Sequence, residues 1–265
     1  MASIVVMALL LSVMPFAKTM ADEATTVHLK TADDWQAFAE RVANGETALN
    51  AVMDNDIDLS DCQAMIGDSR PYEGTFDGNC HTLTVHYNCE SITDCAPFAY
   101  VDGATIQNLI IKGEIVAKNE KWGVTIGGIV CIPEAESEKT TSILNCAVYA
   151  KLRSESKAMT SSIAGLVGRA QANITIDNCL YAGEISAAND GSSSYGKLTA
   201  ATWPEYKYNI SNTLLTGTSP ERDDTEDITT NNVYEYEKNI DLRLPGDVAT
   251  QVRYDQLTSG ELAML

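Results

Sequence analysis

The sequence predicts an all-β fold of stacked repeats, a β-solenoid, and three observations lead there. First, one short pattern occurs four times: Ile106-Gln107-Asn108-Leu109, Ile143-Leu144-Asn145-Cys146, Ile176-Asp177-Asn178-Cys179 and Ile210-Ser211-Asn212-Thr213. The asparagines stand 37, 33 and 34 residues apart. A period of roughly 20–50 residues marks an architecture in which each copy buries its apolar edge against its neighbours. Second, apolar residues alternate after each asparagine, as in Leu109/Ile111/Gly113/Ile115 and Cys179/Tyr181/Gly183/Ile185, a period of two that points one face inward. Third, a Gly-rich apolar strand follows in the same phase, Ile126-Gly127-Gly128-Ile129-Val130 and, 37 residues on, Ile163-Ala164-Gly165-Leu166-Val167-Gly168.

The elements follow in order. Ile4 to Ala17 is an apolar run too short to span a membrane, and Thr19-Met20-Ala21 offers a small residue before Asp22, so residues 1–21 read as an export signal, although no Lys or Arg precedes the run. A mature chain starting at Asp22 is expected outside the cytoplasm. Thr31-Ala32-Asp33-Asp34 is a capping-box variant; Trp35, Phe38, Ala39 and Val42 recur at helical spacing, and Asn44-Gly45 closes a short helix. Its apolar stripe suits the end of a repeat stack, which must be capped against edge-to-edge association. Asn50 to Ser60 is strand-like. Its Asp54/Asp56/Asp58 spacing matches the opening of a calcium loop, but Leu59 and Met65 stand where such a loop needs Gly and Glu. Asp77-Gly78 turns between strands ending at Phe76 and running through Leu83 and Val85. The Gly-rich half decays to Tyr195–Ala200 in the third repeat and to Thr229–Val233 in the fourth, as a capping repeat would. The expected organisation is a signal peptide over 1–21, a cap-helix region over 22–49, β repeats over 50–235 and a C-terminal cap or tail over 236–265.

The repeated asparagine has a mechanical role. Asn tolerates the left-handed conformation at a corner, and its amide can bond the Asn one repeat above. Asn108, Asn145, Asn178 and Asn212 are therefore read as a structural ladder satisfying buried corner groups, with Cys146 and Cys179 as packed thiols beside it.

Charge and cysteines narrow the function. With 18 Lys+Arg against 37 Asp+Glu the net charge is −19, and no basic stripe exists to neutralise phosphates, which excludes nucleic acid as the expected partner. Seven cysteines leave at least one unpaired within the chain; Cys80, Cys89 and Cys95 lie close enough to bridge, with connectivity open. No C-x-x-C pair occurs and the histidines are His28, His81 and His86, so no metal or other cofactor is expected.

At Gly165-Leu166-Val167-Gly168 the chain resembles bacterial surface proteins with GLUG repeats, whose units pair a Gly-Leu-hydrophobic-Gly strand with an Ile-x-Asn-Cys strand. Gly128-Ile129-Val130-Cys131 is a second copy with Cys131 in place of the last Gly. Gly74 to Leu83 is similar to the Gly-x-Phe-Asp-Gly-x-Gly-His opening of such proteins, departing at Cys80, and Ser259-Gly260-Glu261-Leu262-Ala263 resembles a stretch found after the repeats. The resemblance spans roughly residues 27–263. It implies a right-handed parallel β-helix in a secreted or cell-surface bacterial protein. The peptidase that some relatives carry is not implied here, because H-E-x-x-H is absent.

Two function classes compete. An enzyme acting on polysaccharide would need paired carboxylates facing one groove; the available pieces are Glu114, Asp177, Glu184 and Arg153, and Lys151 occupies the position between Glu114 and Glu184. The preferred expectation is a non-catalytic binding or adhesive module for a glycan or host protein, monomeric and without a membrane span. A spacer role in a larger surface protein is the other alternative. Trp122, Trp203, Tyr206 and Tyr208 are the candidate glycan platform, with Tyr149, Tyr181 and Tyr195 as further aromatics.

Overall fold

Alternating Val, Ile, Leu and Thr residues form short strands that bond only to equivalent strands of adjacent repeats. The computed structural model describes residues 26–220, apart from 120, 135–137, 158–160 and 189–192, together with the backbone of the strands Ile228–Asn231, Tyr234–Glu235 and Thr250–Gln251. The signal-peptide reading and most of the C-terminal tail lie outside the described residues. The structure is mostly β, every strand pair in it is parallel, and one helix, α1 (Ala32–Ala43), accompanies the sheets among the described residues. No described helix is long and apolar enough to cross a membrane.

Each repeat contributes to four sheets in turn. In one repeat these are Thr105–Gln107 in sheet I, Ile110–Lys118 in sheet II, Thr125–Gly127 in sheet III and Val130–Pro133 in sheet IV. Parallel register places like on like. Phe76, Ile106, Ile143, Ile176 and Ile210 align in sheet I. Leu83, Ile111, Val148, Tyr181 and Leu215 align in sheet II. Cys95, Ile126, Ile163 and Tyr195 align in sheet III, and Phe98, Val130, Val167 and Thr199 in sheet IV. All of these side chains are buried, so the apolar columns of the four sheets form the core.

In the two middle repeats the turn between sheets III and IV is packed so closely that only glycine fits. A Cβ on Gly128 would lie 2.0 Å from the Gly165 carbonyl oxygen, and one on Gly165 would meet the Tyr181 ring at 2.5 Å, because the sheet II column reaches across the interior to this turn. The third repeat keeps both strands, Ser194–Gly196 and Thr199–Thr202, although its sequence departs from the pattern; backbone pairing to Ser162–Ala164 and Val167–Ala170 holds it. The segment expected as the fourth remnant is different: Ile228–Asn231 belongs to sheet I, paired with Tyr208–Ser211. An earlier copy went unread, since Asp94–Cys95 and Phe98–Val101 fill the same places with Ala96 at the turn.

The corner between sheets I and II is the ladder. Asn108, Asn145, Asn178 and Asn212 have φ of 52°, 54°, 52° and 48°, the left-handed conformation that Asn accepts. Asn145 donates to Asn108 at 3.1 Å and Asn178 to Asn145 at 2.8 Å. The run ends on carboxylates: Asn108 donates to Asp77 at 2.9 Å, and Asn212 donates to Asp177 at 2.8 Å rather than to Asn178. Asn145, Asn178 and Asn212 are exposed, so the ladder sheathes the corner from outside instead of satisfying buried groups. The residue after each asparagine points inward. Cys146 and Cys179 are buried free thiols, and Cys146, Cys179 and Thr213 each donate to the carbonyl two residues back, at 3.2, 3.3 and 2.8 Å. Three of the four copies fill this place with a small side chain carrying one donor, Cys or Thr, and the first fills it with Leu109, which is buried without one. Burial pushes the Cys146 thiol well above its ordinary pKa.

The N-terminal boundary falls earlier than expected. Val27–Leu29 is already a strand of sheet I, paired with Ala51–Met53, so α1 sits between the first two strands of that sheet instead of preceding it. Thr31 caps the helix with a full capping box. Trp35 and Phe38 pack edge-on against Phe76, Phe98 and Tyr72, and the Trp35 indole donates to the Ala64 carbonyl at 2.9 Å.

Corner length varies between sheets IV and I. Six residues connect Val130–Pro133 to Thr140–Leu144, two connect Val167–Ala170 to Asn173–Asp177, and five connect Thr199–Thr202 to Tyr208–Ser211. Strand register is kept on both sides of every one of these corners.

Asp77 terminates the ladder and accepts from the Asn79 N–H, Gln107 and Asn108. Burial pushes its pKa up, but the bonds from Asn108, Asn79 and Gln107 outweigh that and hold it below the usual carboxylate value. A lowered folded-state pKa contributes stability above the unfolded value and loses it as pH falls through the folded one. Asp77→Ala should cost about 1–2 kcal/mol at neutral pH in urea unfolding, the difference from the parent narrowing below about pH 4. A difference that stays constant into acid would contradict this assignment.

Candidate functional site

The corner between sheets II and III carries the cleft. Sheet II strands Thr82–Glu90 and Ile110–Lys118 run in register for nine residues, so Glu90 lies beside Lys118 where both strands end. The chain then turns toward sheet III by connections of unequal length. Counted from the matched residues Cys89 and Ala117 to the matched residues Asp94 and Thr125, the first repeat has four residues in between and the second has seven. A short loop next to a longer one leaves a step. A cleft of about 420 Å³ occupies that step, lined by Glu90, Ser91, Lys118, Asn119, Lys121 and Trp122.

Both walls are fixed. The short loop is clipped by a Cys89–Cys95 disulfide, with Cα atoms 6.5 Å apart, around Ser91 at φ 66°. This settles the open cysteine pairing and leaves Cys80 as an exposed free thiol. In the long loop the buried Asn119 side chain accepts from the Lys121 and Trp122 N–H groups at 2.9 and 3.0 Å. The Ser156 hydroxyl of the next repeat lies 2.8 and 2.7 Å from the Asn119 and Trp122 carbonyls. Ser156 in turn rests on a buried pair, Ser154 and Ser161, 3.0 Å apart. The Trp122 backbone is thus held from below, while its side chain is 58% exposed. Ile92, 40% exposed, stands on the adjacent short loop. A large apolar surface left in water on a rigid base is available for stacking or packing.

The four predicted platform residues do not share a face. Trp122 lies at the II/III corner, whereas Trp203, Tyr206 and Tyr208 lie at the IV/I corner. Trp203 is half-buried and already covered by the Arg169 guanidinium, 5.4 Å from the ring centre. Tyr206 is half-buried against the core. Tyr208 is a correction: it is 2% exposed, and its hydroxyl donates to the Ala170 carbonyl and accepts from the Trp203 N–H, both at 2.8 Å, closing the corner. Its alternation with Ile210 in Tyr208–Ser211 turns it inward. Tyr181 and Tyr195 are core residues, and Tyr149 is exposed on sheet II. Glu90, Ser91, Lys118 and Lys121 were not foreseen. The unequal spacing between the sheet II and sheet III strands was the signal for them, visible only once the first copy is aligned.

The remaining charged candidates are engaged locally. Lys151 faces Glu184 at 3.8 Å, and Arg153 reaches Glu114 at 3.6 Å and Glu155 at 2.6 Å, a solvated strand face. Asp54 bonds His28, Asp56 accepts from the Thr82 N–H and meets His81, and Asp58 accepts from Ser60. Those bonds hold all three carboxyls below their ordinary pKa. No cluster of three or more metal-ligating side chains occurs among the described residues. A second, polar cleft of about 490 Å³, which includes Arg70, Glu73 and Asp102, lies beside Lys139, whose ammonium bonds Glu73 at 2.7 Å and Asp102 at 3.4 Å.

No protein-family model matches the chain, and no curated protein matches it in sequence. Among solved structures it is similar to a Bacteroides ovatus protein named a "putative immunoglobulin A1 protease", with 15% identity over 89% of this chain and 86% of that one and a TM-score of 0.59. At that identity the likeness is one of fold.

Replacing both Cys89 and Cys95 by Ser should remove the clip from the short loop. The double variant should lose about 2 kcal/mol, seen as a lower Tm that no longer responds to reductant, whereas the parent should fall to the same Tm when reduced. Identical melting of parent and variant under oxidising conditions would show that the bridge does not form.

Proposed function

We propose that this chain is an exported bacterial surface or secreted protein of the GLUG-repeat kind, folded as a right-handed parallel β-helix, and that it acts as a non-catalytic binding module for a glycan or a protein displaying one. The observation that carries this reading is Trp122, 58% exposed at the mouth of a cleft whose two walls are fixed by a disulfide and by buried hydrogen bonds. Preorganisation of this kind reduces the entropy lost on binding, which suits recognition. The like-on-like columns and the glycine turn support the β-helix reading, since each repeat visits the four sheets in the same order.

An enzyme reading has less to draw on. The fold neighbour's name includes a protease, but Glu90, beside Lys118, is the one carboxylate among the described lining residues, and a paired-acid mechanism needs two. Displaying a glycan-facing aromatic needs only the geometry at hand.

The test is a glycan and mucin array on the chain from Asp22, alongside Trp122→Ala and Trp203→Ala. Binding should fall about tenfold or more with Trp122→Ala and be retained by Trp203→Ala, since stacking on an exposed indole supplies roughly 1–2 kcal/mol. Silence of the parent across the array would sink the reading.

A further inference from the structure

We infer that the outer face of sheet II is a self-recognition surface, on which a second copy of this chain docks face to face with its repeats in the opposite order. The inference goes beyond the binding reading and departs from the monomer expected from the sequence. Its starting point is a row of side chains across four adjacent strands. Parallel register sets His86, Glu114, Lys151 and Glu184 side by side, so that the last three alternate acid, base, acid. The face around them is close to neutral. On the outward positions of Thr82 to Asn88, Ile110 to Val116, Ala147 to Arg153 and Leu180 to Ser186 stand the acids Glu114 and Glu184 and the bases Lys112, Lys151 and Arg153, on a chain with 37 acids against 18 bases. Glu90, Lys118 and Glu155 form the next row, at the II/III corner.

A two-fold axis parallel to the strands, passing between Ile110–Lys118 and the neighbouring strands Ala147–Val148 and Lys151–Ser154, reverses the repeats and keeps each row over itself. Glu114 then meets Lys151 of the second copy and His86 meets Glu184, each contact occurring twice. In the same docking Lys112 lies over Tyr149, a ring 43% exposed in the middle of the sheet, and Ile110 lies over Ala147. Opposite charges meet, a cation meets an aromatic face, and no like charges are opposed. Within one chain the cross-strand pairs are loose, 3.6 Å between Arg153 and Glu114 and 3.8 Å between Lys151 and Glu184, and in water such pairs contribute little. Covering the face makes each of these charges a bridge between a partner in its own chain and one in the other, which offsets the loss of water around it.

The area sets the strength. Four strands at about 4.8 Å spacing, each about seven residues long at about 3.3 Å per residue, cover roughly 19 by 23 Å. Two such faces bury on the order of 1,000 Å², the lower end for a specific interface, so the dimer is weak and reversible. At physiological salt the screening length is about 8 Å, so most of the acidic charge carried on the other faces lies beyond reach of the contact. Because the axis runs along the strands, both II/III corners come to one edge of the pair, and the two Trp122 clefts are presented on the same side.

The experiment is analytical ultracentrifugation of the chain from Asp22 at about 150 mM salt, over protein concentrations from about 1 to about 500 µM. The samples are the parent, Glu114→Lys, Lys151→Glu, an equimolar mixture of those two variants, and Trp122→Ala; melting and circular dichroism check that each is folded. The parent should show a reversible monomer–dimer equilibrium within this range. Each charge reversal opposes like charges twice and should weaken the dimer about tenfold or more. The mixture is the decisive arm. In a mixed pair the reversed position 114 of one copy meets the reversed position 151 of the other, while the second contact is the parental one, so dimerisation should return to within about threefold of the parent. No effect confined to a single chain produces that recovery. Trp122→Ala should dimerise as the parent does. A parent that stays monomeric throughout would overturn the inference, as would a mixture that associates no better than its components. Loss of the dimer in Trp122→Ala would also overturn it, by moving the contact to the II/III corner.

Discussion

Parallel in-register pairing between successive repeats is the constraint on which everything else in this protein depends. A strand of one repeat satisfies its N–H and C=O groups only on the strands of its neighbours, so equivalent residues are brought to the strand spacing of about 4.8 Å. Every inward side chain therefore has its counterpart above and below as its nearest contact. This favours columns of similar volume, such as Ile106, Ile143, Ile176 and Ile210, and it tolerates a misfit only where neighbouring columns yield. Tyr181 is such a misfit, a ring in a column of Ile, Val and Leu. Glycines supply the room: Cβ atoms at Gly165, Gly183 and Gly217 would all meet its ring. Its hydroxyl, like that of Thr141, is buried with no hydrogen-bond partner among the described residues, a cost that the packing of the ring must offset.

The same constraint explains which features were legible in the sequence. The period, the Asn corner, the helix stripe and the inward alternation were readable because each repeats or follows a local rule, and the structure places Asn108, Trp35 and Ile176 accordingly. Departures from the rule were not readable. The first copy of the glycine turn is written with Ala96 and Pro97, and the third with Lys197, yet backbone pairing keeps both in line. Val27–Leu29 carries no repeat signature and is recruited to sheet I by its neighbour alone. The inward turn of Tyr208 follows from alternation that extends only four residues, too short to separate from an exposed aromatic.

The candidate cleft escaped the sequence for a related reason. Periodicity describes what is common to repeats, whereas the cleft exists because two of them differ. A four-residue connection lies beside a seven-residue one, and the recess between them holds side chains that no repeat alignment groups together. The disulfide belongs with the shorter loop and the Asn119 and serine network with the longer one, so each wall is stiffened by different chemistry. Recognition chemistry in such a protein is best sought where the repeat is broken.

The IV/I corner points in a complementary direction. Connections of six, two and five residues there are followed each time by strands in unshifted register. Each circuit thus resets its phase on reaching sheet I, and an insertion at this corner is not propagated to the next repeat. Loop length behaves as a local variable and strand register as a global one. The consequence is a scaffold in which length can change at one corner while strand register, and with it the rest of each circuit, stays where it was.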